Sequence, residues 1–144
     1  MSEEEIKSVI TSFREAVSSS DVEKVLSFFA DDATFVRPEG IFKGKEEIKR
    51  SFIWLFGRSK FTLTEMDLNV TADKAVLEFL AEGTAFNGMK QHSPGVLAFH
   101  FRNGKIWQVH DYYDRLLAAQ QLAKKWLDKR IVSYFVSRME EGLH

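Results

Sequence analysis

The feature that most restricts the fold of this chain is a pair of Asn-Gly dipeptides that divide its second half into long extended segments. Asn87-Gly88 and Asn103-Gly104 each lie between runs in which apolar and polar residues alternate. Both residue types adopt the backbone angles of tight hairpin turns, so this pattern predicts β-hairpins. Together with a turn signal at Ala72-Asp73, it predicts an antiparallel meander. The four predicted strands are 61–70, 74–86, 89–101 and 105–113.

Helical patterns lie on both sides of this meander. Before it, apolar residues recur at helical spacing in three segments between residues 6 and 56, and after it residues 115–141 contain neither Pro nor Gly. Strands as long as the predicted ones must twist and bend. The order of helices, sheet and helix predicts the α+β class. We expect a strongly curved antiparallel sheet with helices packed on its concave face, enclosing a pocket, and a long C-terminal helix.

Length and composition narrow the range of functions. The 144 residues are typical of one domain, so we expect a single domain with a core at about 5–122 and a helical extension at about 115–141. Twenty Lys and Arg residues balance 21 Asp and Glu residues, which is unlike a nucleic-acid-binding protein or a basic membrane-docking protein. With no cysteine, no signal-peptide pattern and no apolar run of about 18 residues, we expect a cytoplasmic protein.

No metal or cofactor motif is recognisable in the sequence. The four histidines form no His-x-x-x-His pair, and His110 and Asp111 are adjacent on a predicted strand, so their side chains point to opposite faces. The sequence contains neither a Gly-rich phosphate loop nor a Gly-x-Ser-x-Gly elbow. We therefore expect neither a metal nor a cofactor.

Asp111 is the informative exception on the last predicted strand. The face that we expect to point inward is otherwise mostly apolar, and a carboxylate on such a face requires an explanation. Two interpretations remain open. Asp111 is either a structural aspartate paired with an arginine or a general acid/base whose pKa is shifted by desolvation. The expected inward residues are Trp107, Val109, Asp111 and Tyr113, and the expected outward residues are Ile106, Gln108, His110 and Tyr112.

The register of the last hairpin determines which residues of the preceding strand share that face. A two-residue turn at Asn103-Gly104 places His100 opposite Trp107, whereas a three-residue loop with a bulge places Phe99 there. We favour the second register because it buries more apolar surface. His100 is then expected to face outward.

Three segments, 20–35, 42–48 and 102–114, carry a family resemblance. They resemble the second helix and first strand, the start of the third helix, and the last hairpin of the SnoaL-like branch of the nuclear transport factor 2-like superfamily. The resemblance covers roughly residues 5–122 and implies the cone-shaped α+β fold that ketosteroid isomerases and polyketide cyclases also share. This fold hosts isomerases, cyclases, hydrolases, dehydratases and proteins without enzymatic activity.

The resemblance also indicates which chemistries the residues support. At the positions where ketosteroid isomerases carry a Tyr and two Asp residues, this chain has Phe13, Arg37 and Leu97. Where limonene epoxide hydrolases carry Arg-x-Asp, this chain has Gly83-Thr84-Ala85. Polyketide cyclases of the SnoaL type have an acid/base Asp on the last strand, and Asp111 matches that position.

Arg37 is the second singular residue. It precedes Pro38 and therefore has extended backbone geometry, and the resemblance implies that it faces the pocket. There it would pair with Asp111 or bind an anionic or carbonyl-bearing ligand, or else it extends into solvent. A pair would lower the pKa of Asp111 and favour binding over acid catalysis. The expected pocket walls are Phe13, Val17, Phe35, Trp54, Phe99, Trp107 and Tyr113.

Three functions are compatible with this sequence. The first is a cofactor-independent isomerase, cyclase, lyase or hydrolase that uses Asp111 on a small hydrophobic molecule, the second is a non-catalytic binding protein, and the third is a protein-interaction module with a filled pocket. The C-terminal helix must cover the pocket mouth, the outer sheet face or a partner, to which Phe135 and Met139 would contribute. We also expect a homodimer across the outer sheet face, through Leu80, Ile106 and Tyr112.

Overall fold

The structure is a computed structural model that describes residues 1–143. Its elements, in chain order, are α1 (Glu3–Ser18), α2 (Val22–Ser27), β1 (Phe29–Arg37), β2 (Gly40–Lys43), α3 (Gly44–Arg58), β3 (Ser59–Thr71), β4 (Lys74–Ala85), β5 (Lys90–Arg102), β6 (Lys105–Tyr113), α4 (Arg115–Leu122) and α5 (Trp126–Met139). Among the helices of residues 1–143, none has both the length and the apolar character needed to span a membrane.

The six strands form one curved, unclosed sheet in the order β2-β1-β6-β5-β4-β3. The four long strands form the antiparallel meander that the turn signals predict, and Ala72, Asn103 and Gly104 have positive φ angles at the turns. Strand β1 pairs in parallel with β6 and antiparallel with β2. The predicted α+β fold is therefore confirmed, with one parallel strand pair inside an otherwise antiparallel sheet.

Helix α1 begins at the capping box that its sequence contains. The hydroxyl of Ser2 accepts a hydrogen bond from the backbone N–H of Glu5 (3.1 Å), and the Glu5 carboxylate accepts one from the Ser2 backbone (2.7 Å). The apolar stripe that follows, which includes Ile6, Ile10 and Phe13, is buried against the sheet. Burying each of these side chains stabilises the fold by about 1.5–3 kcal/mol, so the helix is held mainly by its packing.

Phenylalanine rings fill the core between the helices and the sheet. Phe13 of α1 makes edge-to-face contacts with Phe29 and Phe99, at centroid distances of 6.1 and 5.6 Å. Phe52 of α3 stacks on Phe35 of β1 at 5.3 Å. Such pairs add a modest stabilisation beyond area burial, and they connect α1, α3 and the sheet in one apolar cluster.

The last hairpin differs from our expectation. The turn at Asn103-Gly104 has two residues, and the bulge lies within β6, where the register changes between Phe101↔Ile106 and His100↔Gln108. The expected pairing of Phe99 with Trp107 was wrong, because Phe99 lies opposite Val109.

The bulge changes which residues of β6 face inward. Ile106 and Val109 are both fully buried, although strict alternation would put them on opposite faces. Trp107 is the extra residue and lies on the outer face, where its ring contacts His100 (6.1 Å) and the guanidinium of Arg102 (5.4 Å). Ile106 therefore does not belong to the outer surface that we expected to form a dimer. His100 faces outward, as we expected, although the register from which we expected it was wrong.

The C-terminal helical segment is interrupted. We expected one long helix, but Ala123 is extended and separates α4 from α5. The interruption has a tertiary cause, because the Asn87 side chain donates to the Leu122 carbonyl (3.0 Å) and the Gln121 side chain makes two hydrogen bonds with the His92 backbone. Helix α4 is thus attached to β5 and the turn before it. Helix α5 packs mainly against α4 and has no buried residue.

Candidate functional site

Three charged side chains meet where β1 and β6 run side by side. Arg37 ends β1, Glu39 lies in the turn to β2, and Asp111 lies on β6, next in sequence to His110, which pairs with Val36. The Nε atom of Arg37 is 3.4 Å from Oε2 of Glu39 and 3.5 Å from Oδ2 of Asp111. The Arg37 side chain is 5% exposed and that of Asp111 is 12% exposed, so both are shielded from water.

The contacts within this cluster leave hydrogen-bonding capacity unused. Within residues 1–143, Nε of Arg37 and Oδ1 of Asp111 are buried and have no hydrogen-bond partner. Buried polar atoms are nearly always partnered, and each orphaned atom costs about 1–3 kcal/mol. The cluster therefore contains one donor and one acceptor that the described residues leave unpaired. The Tyr113 hydroxyl donates to Glu39 and fixes that carboxylate beside Arg37.

Burial dominates the electrostatics of Asp111. Desolvation raises the pKa of Asp111 from its ordinary value of 3.8 to about 6; the positive charge of Arg37 opposes this shift, and the negative charge of Glu39 adds to it. We expected that an Arg37 pair would lower this pKa. The pair is present, but at 3.5 Å and without a hydrogen bond its attraction does not compensate for the loss of water.

A cavity of about 260 Å³ lies beside the cluster, on the concave side of the sheet. Its walls come from α1, α3, five of the six strands and α4, and they are mostly apolar. The expected wall residues Phe13, Val17, Phe35, Trp54 and Tyr113 line it together with Arg37 and Asp111. The cavity is thus open next to Asp111, and neither Trp54 nor the terminal helices fill it.

Two expected wall residues lie elsewhere. Phe99 is fully buried among core rings, between Phe13 and Phe101, behind the cavity wall. Trp107 lies on the outer face of β6 because of the bulge. Leu97, which pairs with Asp111 across the two strands, lines the cavity in the place where we expected Phe99.

The comparison with known proteins now identifies the family. The model of the SnoaL-like domain matches residues 10–109, which is more than half of the chain. The chain belongs to the SnoaL-like family. The resemblance inferred from residues 20–35, 42–48 and 102–114 is thereby confirmed.

Solved structures share the fold of this SnoaL-like domain at low sequence identity. A proposed polyketide cyclase from Pseudomonas putida is 20% identical with a TM-score of 0.76, and the match covers 80% of this chain and 96% of that one. An NTF2-like protein of unknown function from Burkholderia pseudomallei is 20% identical with a TM-score of 0.77, covering 86% and 100%.

The protein TerC, crystallised with polyporic acid, is 20% identical with a TM-score of 0.75, and the match covers 83% of this chain and 98% of that one. No curated protein matches the chain significantly in sequence. These likenesses show the fold alone.

Two residues at the rim of the cavity in this SnoaL-like protein were not among the expected site residues. Arg58 at the end of α3 and Phe86 after β4 both line the cavity, next to Trp54. The guanidinium of Arg58 is 4.2 Å from the Phe86 ring and 5.2 Å from the Trp54 ring. The i, i+4 spacing of Trp54 and Arg58 predicts contact within α3, but nothing in the sequence brings Phe86 to them.

A second hollow of about 500 Å³ lies between α3 and β2. It shares Arg37, Glu39 and Trp54 with the cavity but does not reach Asp111. Within residues 1–143 no group of three or more His, Asp or Glu side chains is placed to hold a metal ion, and His144 lies outside these residues. The SnoaL-like domain thus offers one cavity that combines an apolar wall with a buried carboxylate.

Proposed function

We propose that this SnoaL-like protein binds a small, mostly apolar molecule that carries a carbonyl group, and that Asp111 acts on it as a general acid/base. The reaction is of the isomerase or cyclase type and uses no cofactor. The observation that carries this proposal is the free oxygen of Asp111, buried and without a hydrogen-bond partner at the wall of an apolar cavity.

The chemistry follows from the two orphaned atoms. Asp111 removes a proton from a carbon next to the carbonyl group, and the C–H electron pair forms a C=C bond as the C=O π pair moves onto oxygen. Nε–H of Arg37 donates a hydrogen bond to the resulting enolate. Return of the proton to another carbon of the conjugated enolate completes an isomerisation. In a cyclisation the enolate carbon attacks a second carbonyl group of the same molecule, and Asp111 returns its proton to the alkoxide that forms. A pKa of about 6 suits the role, because the group is mostly ionised at neutral pH and still exchanges its proton readily.

Size and shape support the same ligand class. A cavity of about 260 Å³ lined by aromatic rings suits a flat molecule of one to three rings. Two structural neighbours are consistent with this class, since one is a proposed polyketide cyclase and another was crystallised with polyporic acid.

The test is hydrogen exchange of 2-tetralone, a small bicyclic ketone with acidic α-hydrogens, followed by NMR in D₂O. We expect the wild-type protein to accelerate exchange, with a rate that rises with pH through about 6 as Asp111 ionises. Asp111→Asn keeps the shape of the side chain but accepts no proton, so it should lower the rate by about 100-fold or more. Asp128→Asn, on exposed α5, is the matched control and should have no effect. Equal rates for wild type and Asp111→Asn would remove the catalytic role.

A second candidate function is non-catalytic binding in the same cavity. It is favoured by the contact of Arg37 with both carboxylates, which would hold Asp111 as an ion-pair partner rather than as a base. Binding of 2-tetralone without any acceleration of exchange would select this function over catalysis.

A further inference from the structure

The rim of the cavity carries a positive charge that the protein itself does not neutralise. Arg58 is exposed and lines the cavity, and within residues 1–143 its side chain makes no ion pair and no hydrogen bond. Its guanidinium is held against the rings of Phe86 and Trp54, which are 60% and 49% exposed. Contact with two rings fixes the direction of the guanidinium while its N–H groups remain free to donate.

The inner part of the same cavity has the opposite electrostatic character. There the two carboxylates of Glu39 and Asp111 face the single guanidinium of Arg37, so the formal charge of the cluster is −1 when both acids are ionised. A ligand group that is already anionic when it binds gains nothing by approaching this cluster, whereas an enolate forms there only after Asp111 has taken up a proton and the cluster has become neutral. At the rim, in contrast, Arg58 has no acidic side chain within 4.0 Å among the described residues, and the rings beside it are part of the cavity wall.

From this asymmetry we infer that the ligand is an amphiphilic acid, whose apolar rings fill the cavity and whose carboxylate or other anionic group is bound by Arg58 at the rim. The inference rests on the proposed function and extends it by naming the substrate class. It also fixes an orientation, because the anionic group points outward at Arg58 and the opposite end of the molecule meets Asp111 and Arg37. Arg58 is therefore a specificity-determining residue and takes no part in proton transfer.

The experiment compares two ligands of nearly identical shape that differ in charge, 2-naphthoate and 2-naphthamide, by calorimetry at pH 8 and low salt. The wild-type protein should bind the naphthoate about 3- to 10-fold more tightly, the size of an exposed charge-assisted contact. Arg58→Gln should remove this preference by weakening naphthoate binding alone. Arg58→Lys keeps the charge without the planar fork and should retain part of the preference.

Arg130→Gln is the matched control. Arg130 lies against the Trp126 ring at 5.1 Å, in the same kind of contact but on α5 and away from the cavity, so its removal should not change the preference. Equal affinity for the two ligands in the wild type, or a preference that survives in Arg58→Gln, would overturn the inference and leave the proposed function intact. Failure of both ligands to bind would instead remove the proposed ligand site, and the inference with it.

Discussion

Asp111 illustrates how the character of one residue depends on distances of a few tenths of an ångström. Its position on an apolar face could be predicted from strand alternation, and the family resemblance implied that Arg37 faces the same pocket. The sign of the pKa shift could not be predicted, because it depends on burial and on the missing hydrogen bond between the two side chains. A shorter, bidentate pair would have reversed it.

The raised pKa of Asp111 has a consequence for stability. Between the ordinary value of 3.8 and about 6, the folded protein binds a proton that the unfolded chain releases, so the free energy of unfolding falls as pH rises through this window. Above pH 6 Asp111 is ionised in both states, and the resulting decrease in the free energy of unfolding amounts to about 3 kcal/mol. We therefore expect Asp111→Asn to stabilise the protein at pH 7.5 by about 1–3 kcal/mol and to have little effect at pH 3.5.

Urea denaturation of both proteins at the two pH values checks this expectation. Asp128→Asn controls for the change in net charge, since that residue is exposed on α5. If Asp111→Asn were destabilised to the same extent at both pH values, Asp111 would be a structural anchor for Arg37 rather than a strained functional group.

At the scale of secondary structure, the sheet is the element that sequence reasoning predicts best. Turn dipeptides fix where each hairpin reverses, and the turn then fixes the register of the strands. The bulge in β6 is different, because Ile106 and Trp107 are adjacent large apolar residues and either one satisfies an inward position. The choice is made by tertiary contacts, since Ile106 pairs with Phe29 of β1, which no local pattern reveals.

The backbones of β3 and β4 approach each other so closely at Gly83 that a side chain has no space there. A Cβ atom at this position would lie 1.9 Å from the Lys60 carbonyl oxygen and 2.6 Å from the Phe61 Cα atom, both of which are backbone. We expect Gly83→Ala to push the strands apart and to destabilise the fold by about 2–3 kcal/mol, measured by thermal or urea unfolding.

Gly57→Ala provides the matched control for that substitution. Gly57 lies in α3 with nothing within 4 Å of its Cβ position, so Ala should stabilise the protein by about 0.5–1 kcal/mol. Equal stability of wild type and Gly83→Ala would mean that the two strands are not held at the described separation.

Viewed as a whole, the molecule exposes its apolar side chains unevenly. Of the fifteen large apolar side chains exposed in residues 1–143, seven lie within residues 126–143, on α5 and just after it. A concentration of this kind is typical of a surface that another protein covers. The sequence predicted an apolar face here but could not indicate its exposure, because the interruption before α5 depends on hydrogen bonds from Asn87 and Gln121.

We expect the covering partner to be a second copy of the chain, related by a two-fold axis through α5. Size-exclusion chromatography with light scattering should give twice the 16.6 kDa of one chain. Phe135→Glu places a charge in the centre of the exposed face and should give the monomer mass.

Tyr112→Ser tests the alternative surface, the outer face of the sheet, and should leave the dimer intact. A monomer at all concentrations would contradict the predicted dimer. A dimer that dissociates on Tyr112→Ser but not on Phe135→Glu would show that the dimer interface is the outer face of the sheet.

The bulge at Trp107 also determines which of the following residues of β6 face inward and which face outward. With Ile106 facing inward, an uninterrupted strand would direct Gln108, His110 and Tyr112 to the inner face of the sheet. The extra residue directs Val109 into the core and Asp111 and Tyr113 to the cavity instead. The bulge therefore determines that the carboxylate of Asp111, and not the imidazole of His110, faces the cavity.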